Sequence, residues 1–230
     1  MYFGLQKLTL LDYPGKVACT VFSAGCNFRC PFCHNGSLVK GSGTLPFSFE
    51  EVESFLKKRA GVLDGVCFTG GEPLLNDAVM DLAKTAKFLG YAVKLDTNGS
   101  FPEKLRRAVN AGLVDYVAMD IKSTIERYHL LCGNADVVDK VCESVDLLKS
   151  RICDFEFRTT VVGNLHRPED FARIGKWIAP AQKYFLQPYK DSGDVLDQEH
   201  AEMFAVSDAI LQECLLAARE FVPQTAIRGR

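Results

Sequence analysis

The chain has 230 residues, 47% of them hydrophobic and 24% charged, with a formal net charge of −2, the proportions of a globular protein with one substantial core. The absence of a basic excess argues against nucleic acid as a partner, and no run approaches the ~18–20 apolar residues of a membrane span, so no membrane association is expected. Residues 1–11 interleave Gln6 and Lys7 with apolar side chains and lack the pattern of a secretory signal, which makes a cytoplasmic location the expectation.

In chain order, short β-rich apolar runs alternate with helical patterns. The first strand is expected over 17–23. Ser48 and Glu51 then stand at capping-box spacing ahead of a helix with Val52, Phe55 and Leu56 on one face. A strand over 65–69 leads to a helix capped by Asn76, in which Val79, Leu82, Ala83 and Ala86 recur at i, i+3, i+4 and i+7. Further strands are expected over 92–96, 116–121, 155–162 and 184–187. Pro102 and Pro168 sit where helices can begin. Residues 136–148 and 199–218 complete the helices, the latter with Met203, Val206, Ile210 and Leu211 on a shared side. The charge runs Lys57-Lys58-Arg59 and Arg228-Gly229-Arg230 read as solvated ends of elements. Six β/α units in a row imply parallel strands, too few for a closed eight-unit barrel. The expected fold is therefore α/β, a partial (β/α)6 barrel of parallel strands open on one side, as a single domain over 1–230. Its chemistry should gather at the C-terminal ends of the strands.

The sequence has nine cysteines. Cys19, Cys67, Cys132, Cys142, Cys153 and Cys214 are scattered and read as small buried hydrophobes. Cys26, Cys30 and Cys33 cluster after the first strand, and in a reducing compartment clustering points to metal or catalysis. Gly25 lets the backbone enter such a loop and Pro31 stiffens it. Structural zinc would want a fourth ligand, but no second Cys-x-x-Cys exists, and His34, adjacent to Cys33, points badly for one tetrahedron. Three thiolates on a [4Fe–4S] cluster leave one iron open, which favours catalysis on a chelating small molecule over simple electron transfer. An electron carrier or metal-binding module remains the alternative. His34 and Asn35 read as shaping the loop, and the isolated His129, His166 and His200 receive no role.

Polar residues stand at the following strand ends. Gly70 and Gly71 allow close backbone approach to a ligand, and Glu72 could accept from an ammonium group. Asp96-Thr97-Asn98-Gly99 ends the third strand and Asp120-Ile121-Lys122 the fourth. Arg158 is a charge inside an apolar strand, where an unpaired charge is costly. Gln187-Pro188-Tyr189 ends the last strand.

Cys26-x-x-x-Cys30-x-Phe32-Cys33, with Phe32 as the aromatic residue, resembles the signature of the radical S-adenosylmethionine superfamily, and Gly70-Gly71-Glu72 resembles its Gly-Gly-Glu motif. The resemblance implies a [4Fe–4S] cluster on the three cysteines and S-adenosyl-L-methionine on the open iron, with Glu72 at the methionine amino group. The likeness of the Asp96-Thr97-Asn98-Gly99 and Asp120-x-Lys122 segments to those of glycyl-radical activating enzymes implies that Asp96, Thr97, Asn98, Asp120 and Lys122 meet the cosubstrate, and Arg158 is expected to join them because its charge enters an apolar strand. Asp96, Thr97 and Asp120 would also hold a monovalent cation, as similar segments do in glycyl-radical activating enzymes. The run from Gly4 to Lys16, with Asp12-Tyr13-Pro14-Gly15 at its end, resembles the activating proteins of anaerobic ribonucleoside-triphosphate reductases. That likeness implies a glycyl-radical enzyme as protein substrate and an external electron donor such as flavodoxin or ferredoxin; Asp12, just before the first strand, is the candidate contact for the partner's loop. The alternatives are an activase of a pyruvate formate-lyase-like enzyme, or a small-molecule radical enzyme such as 7-carboxy-7-deazaguanine synthase.

Overall fold

Among the described residues, six parallel strands, each within a residue of its expected bounds, form the centre of one nine-stranded sheet. They are β2 (Ala18–Ser23), β4 (Gly65–Gly70), β5 (Ala92–Thr97), β6 (Tyr116–Asp120), β7 (Asp154–Val161) and β8 (Tyr184–Pro188). Three flanking strands carry no comparable apolar run: β1 (Tyr2–Thr9), β3 (Phe47–Ser48) and β9 (Ala226–Ile227). The sheet order is β3-β1-β2-β4-β5-β6-β7-β8-β9, with β1 antiparallel to both β2 and β3. The expectation of parallel strands thus holds for the centre and is corrected at one edge. The sheet remains open, with β3 and β9 as its two edges. The computed structural model describes residues 2–41 and 45–229, apart from the side chains of Ala135 and Met203.

Strand alternation sorts the side chains by face. Cys19, Val21, Val66, Phe68, Val93, Leu95, Val117 and Phe157 face the helices and join one buried apolar cluster. Those helices are α1 (Gly36–Lys40), α2 (Phe49–Arg59), α3 (Asp77–Phe88), α4 (Pro102–Asn110), α5 (Tyr128–Cys132), α6 (Val138–Lys149), α7 (Pro168–Ile178) and α8 (Asp208–Arg219). The capping box of α2 forms in both directions, with Glu51 N–H on the Ser48 hydroxyl at 3.2 Å and Ser48 N–H on the Glu51 carboxylate at 2.8 Å. Asn76 caps α3, and Pro102 and Pro168 open α4 and α7.

The helix expected over 199–218 is two elements, a 3-10 stretch Gln198–Phe204 and α8. The break sets the Ala205 carbonyl against Gly163, where a Cβ would stand 1.9 Å from it, and Ser207 recaps the chain for α8. The buried face becomes Leu211, Cys214, Leu215 and Ala218, leaving Ile210 exposed; the Met203 side chain lies outside the described residues. Arg228 is not a solvated end either. It pairs with fully buried Glu156 at 2.6 and 3.0 Å, lies 3.5 Å from the Phe185 ring centroid, and shares Glu156 with the Tyr116 hydroxyl. Arg230 is outside the described residues. Of the scattered cysteines, Cys19, Cys67, Cys132 and Cys214 are buried, while Cys142 and Cys153 are only partly so.

Candidate functional site

The C-terminal ends of the parallel strands open into a cavity of about 310 Å³, at the lower end of the range for small-molecule sites. Cys26, Cys30, Phe32 and Cys33 line it from the loop after β2, Gly70 and Gly71 from β4, and Asp96, Thr97 and Asn98 from β5. Asp120 and Lys122 reach it from β6, Arg158 and Thr160 from β7, and Gln187 from β8.

The cysteine loop is held by its neighbours. Gly25 turns the chain with φ 85°, and its amide donates to the Leu38 carbonyl at 2.9 Å. The end of β4 lies directly beneath: Gly71 N–H donates to Ser23 O at 2.9 Å and Glu72 N–H to Gly25 O at 2.8 Å. Gly70 has φ 117°, and a Cβ on Gly71 would stand 1.9 Å from the Gly25 carbonyl oxygen, so this approach requires glycine at both positions. Asn35 adds a third tie, its amide donating to Gly70 O at 3.0 Å. From the far side, Leu196 N–H and Asp197 N–H donate to the carbonyls of Cys33 and Pro31, each at 2.9 Å.

The three thiols face one space, and Cys26 is supplied with donors. Phe28 N–H lies 3.4 Å and the Asn98 side-chain amide 3.8 Å from Cys26 Sγ. Burial pushes the Cys30 thiol up to about 12, and the Lys122 ammonium is the largest influence drawing it down. Among the described residues no three potential ligands are grouped around a single-ion position. A ring of thiols around a cavity, faced by N–H donors and an ammonium group, is a donor set suited to an anionic iron–sulfur cluster. These residues fit the [4Fe–4S] group expected from the sequence.

Across the cavity runs a ladder of charges. Arg158 donates through Nη1 to Asp96 at 3.0 Å and through Nε to Asp120 at 2.9 Å, and Lys122 takes the other Asp120 oxygen at 3.0 Å. Lys94, one step below on β5, pairs with the remaining Asp96 oxygen. Burial alone would raise both carboxyls; Arg158, with Lys94 at Asp96 and Lys122 at Asp120, outweighs it and holds them below the usual carboxylate range. Three cations meet two carboxylates, so the ladder carries one surplus positive charge, suited to a ligand carboxylate.

Two expectations need correction. Glu72 does not present its carboxylate to the cavity. It is fully buried, and its oxygens accept from Leu74 N–H at 3.0 Å, Thr97 Oγ1 at 2.8 Å and Asn98 N–H at 2.7 Å. It ties the β4 motif to the β5 motif, and what faces the cavity is the Gly70–Gly71 backbone. Nor do Asp96, Thr97 and Asp120 form a vacant oxygen cage for a monovalent cation. All four carboxylate oxygens are taken by side-chain cations, and the Thr97 hydroxyl is bound to Glu72.

Several contributors carried no sequence signal. Lys94 is buried although its position in an alternating strand reads as solvent-facing. Asn27 and Ser100 complete a polar cluster with Asn98, at 2.9–3.0 Å for Asn27 to each. His166, isolated in sequence, accepts from Val162 N–H at 3.1 Å through Nδ1, which leaves its Nε2 to donate to the Lys122 carbonyl at 2.9 Å. Asp12 lines the cavity and accepts the Thr20 hydroxyl at 2.5 Å. Tyr189 is buried against Phe204 and does not line the cavity, whereas His34 and Asn35 do.

The family model for the Radical SAM superfamily matches residues 20–178. A protein of Methanocaldococcus jannaschii, provisionally named a glycyl-radical enzyme activating enzyme, is 30% identical over 98% of this chain and 94% of its own length. The pyruvate formate-lyase-activating enzyme of Clostridium pasteurianum is 32% identical over 52% of this chain and 51% of its own. Among solved structures, Streptococcus suis SuiB bound to S-adenosylmethionine superimposes with a TM-score of 0.70 at 13% identity, over 90% of this chain and 49% of that one, a likeness of fold. No helix among the described residues is long and apolar enough to cross a membrane. With its cysteine loop, Gly-Gly turn and charge ladder inside the matched span, this chain is an enzyme that belongs to the radical SAM superfamily.

Proposed function

We propose that this chain is a glycyl-radical enzyme activating enzyme, most closely of the kind that serves anaerobic ribonucleoside-triphosphate reductase. The observation that carries this reading is the convergence of Cys26, Cys30 and Cys33 with the Gly70–Gly71 backbone and the Lys122–Asp120–Arg158–Asp96 ladder on one cavity. Cys26, Cys30 and Cys33 would hold the cluster, which, reduced by a donor such as a flavodoxin or ferredoxin, supplies the electron that splits S-adenosylmethionine into methionine and a 5′-deoxyadenosyl radical.

The protein's part is positioning. Lys122 and Arg158 offer cations to the methionine carboxylate, and the Gly70–Gly71 backbone lines the cavity without a side chain in the way of the ligand. Phe28 and Phe32 help to keep water from the cysteine loop, both being nearly fully buried. An open sheet suits a loop of a partner protein, whose glycine Cα would be the donor of the hydrogen atom that the 5′-deoxyadenosyl group takes up. Asp12, which lines the cavity beside Thr20, is our candidate contact for that loop.

The test is anaerobic. Cluster-loaded protein is reduced with dithionite and given S-adenosylmethionine with candidate partners, a ribonucleoside-triphosphate reductase and a pyruvate formate-lyase. The expected result is 5′-deoxyadenosine and methionine in equal amounts, lost on Cys30→Ala, with a glycyl-radical resonance on the reductase. A resonance on the lyase alone would reassign the partner. Cleavage without a glycyl radical on either would move the chain to the small-molecule radical enzymes. Asp12→Asn should weaken radical transfer and leave cosubstrate cleavage intact; loss of both would refute its assignment.

A further inference from the structure

The resemblance to activating enzymes carries with it a monovalent cation at Asp96, Thr97 and Asp120, and the side chains here do not fit one. A hard cation needs a shell of oxygen ligands free of competing positive charge. Here each oxygen of the two carboxylates already faces a cationic nitrogen: Lys94 and Arg158 on Asp96, Arg158 and Lys122 on Asp120. The Thr97 hydroxyl is bound to Glu72 at 2.8 Å and to Gly99 N–H at 3.1 Å. A metal ion added to this group would enter a cluster that already holds surplus positive charge and would be repelled by it.

Lys94 is the residue that makes the difference. Its side chain is 2% exposed, and lysine is seldom buried without a charge partner. It stands two residues before Asp96 on β5, hence on the same inward face, and its flexible stem delivers a point charge to the oxygen that Arg158 does not reach. Its other polar neighbour is Cys67 Sγ at 3.8 Å. Resting on the radical SAM reading above, we infer that the Lys94 ammonium is a built-in cation, a positioning group that occupies the place a monovalent metal ion would take beside Asp96. Asp96 is thereby kept paired and aimed at Arg158, so binding of S-adenosylmethionine needs no added cation.

The experiment measures equilibrium binding of S-adenosylmethionine to anaerobic, cluster-loaded protein, in tetramethylammonium chloride and in potassium chloride at equal ionic strength. The change that the cosubstrate produces in the electron paramagnetic resonance of the reduced cluster is recorded alongside. Wild type is expected to bind within about twofold in the two salts, with the same resonance. Lys94→Ala, which leaves space for an ion, is expected to bind about tenfold or more weakly in tetramethylammonium. Potassium or methylammonium should then recover part of the affinity and the wild-type resonance, which a general packing defect would not allow. Wild-type binding that requires potassium would overturn the inference, as would a Lys94→Ala protein that binds like wild type in tetramethylammonium. If Lys94→Ala fails to fold, the wild-type salt comparison decides alone. Wild type with a full cluster that binds no cosubstrate in either salt would overturn the proposed function itself.

Discussion

Asp194 receives both the backbone N–H of Ser37, at 2.9 Å, and its hydroxyl, at 2.6 Å, across 157 positions of sequence. Its own carbonyl accepts from Gly36 N–H at 2.8 Å. The segment after β8 therefore clamps the start of α1, the short helix that terminates the cysteine loop.

That clamp should matter to the loop more than to the core. Asp194→Ala removes the side-chain bonds to Ser37 and is expected to cost about 1–2 kcal/mol, with faster loss of iron to a chelator. Urea unfolding and the bleaching rate of the reconstituted protein check the two parts separately. An unchanged bleaching rate would remove the clamp from the account of the site.

Gly71→Ala tests the apposition of β4 and the cysteine loop. With the new Cβ only 1.9 Å from a backbone oxygen, one strand end has to move, at an expected cost of about 3 kcal/mol or more. Cosubstrate binding should be lost even where the protein still folds. A variant with native melting temperature and native binding would mean that the approach is looser than described.

Glu72 supplies a pH dependence of a definite sign. Burial carries its carboxyl from 4.5 up to about 7 despite the three hydrogen bonds it accepts. Across that interval the unfolded chain has released the proton and the folded chain retains it, so stability falls as pH rises. The fall attributable to this group is about 3 kcal/mol, at about 1.4 kcal/mol per pH unit. Glu72→Gln should abolish this slope. It should also carry a pH-independent penalty, since its amide N–H group faces backbone donors. Urea midpoints measured below, within and above the interval give the difference curve, and a flat difference would dismiss Glu72 as its source.

At the floor of the barrel, Arg228→Ala leaves the Glu156 carboxylate, fully buried, with the Tyr116 hydroxyl as its remaining hydrogen-bond partner. An expected loss of about 2–4 kcal/mol follows. The double change Glu156→Gln with Arg228→Met should recover most of it in thermal unfolding, because no uncompensated charge remains. A double variant as unstable as the single one would show that the loss comes from the packing of Arg228 on Phe185.

Much of this molecule was legible because local rules carry it. The six central strands announce themselves as apolar β-rich runs, and Ser48, Asn76, Pro102 and Pro168 mark helix starts through bonds made within a few residues. β1 was hidden because only Phe3 and Thr9 of its eight residues are buried, so it has no apolar run to read. The break at 205–207 was hidden for another reason: the periodicity runs on through it, while the chain there packs closely on Gly163 and is recapped by Ser207.

The sequence by itself determined the α/β order, the position of chemistry at strand ends, and the three-cysteine loop, since each rests on spacing along the chain. The tertiary structure alone decided what the polar residues do. Glu72 turned inward to Thr97 and Asn98, Lys94 was buried against Asp96, and Arg228 returned to neutralise Glu156. The physical reason is burial. A buried polar group must be partnered, and where the partner comes from another strand or its end, as for Glu72 and Glu156, the register of the sheet decides which one, and no local pattern records it.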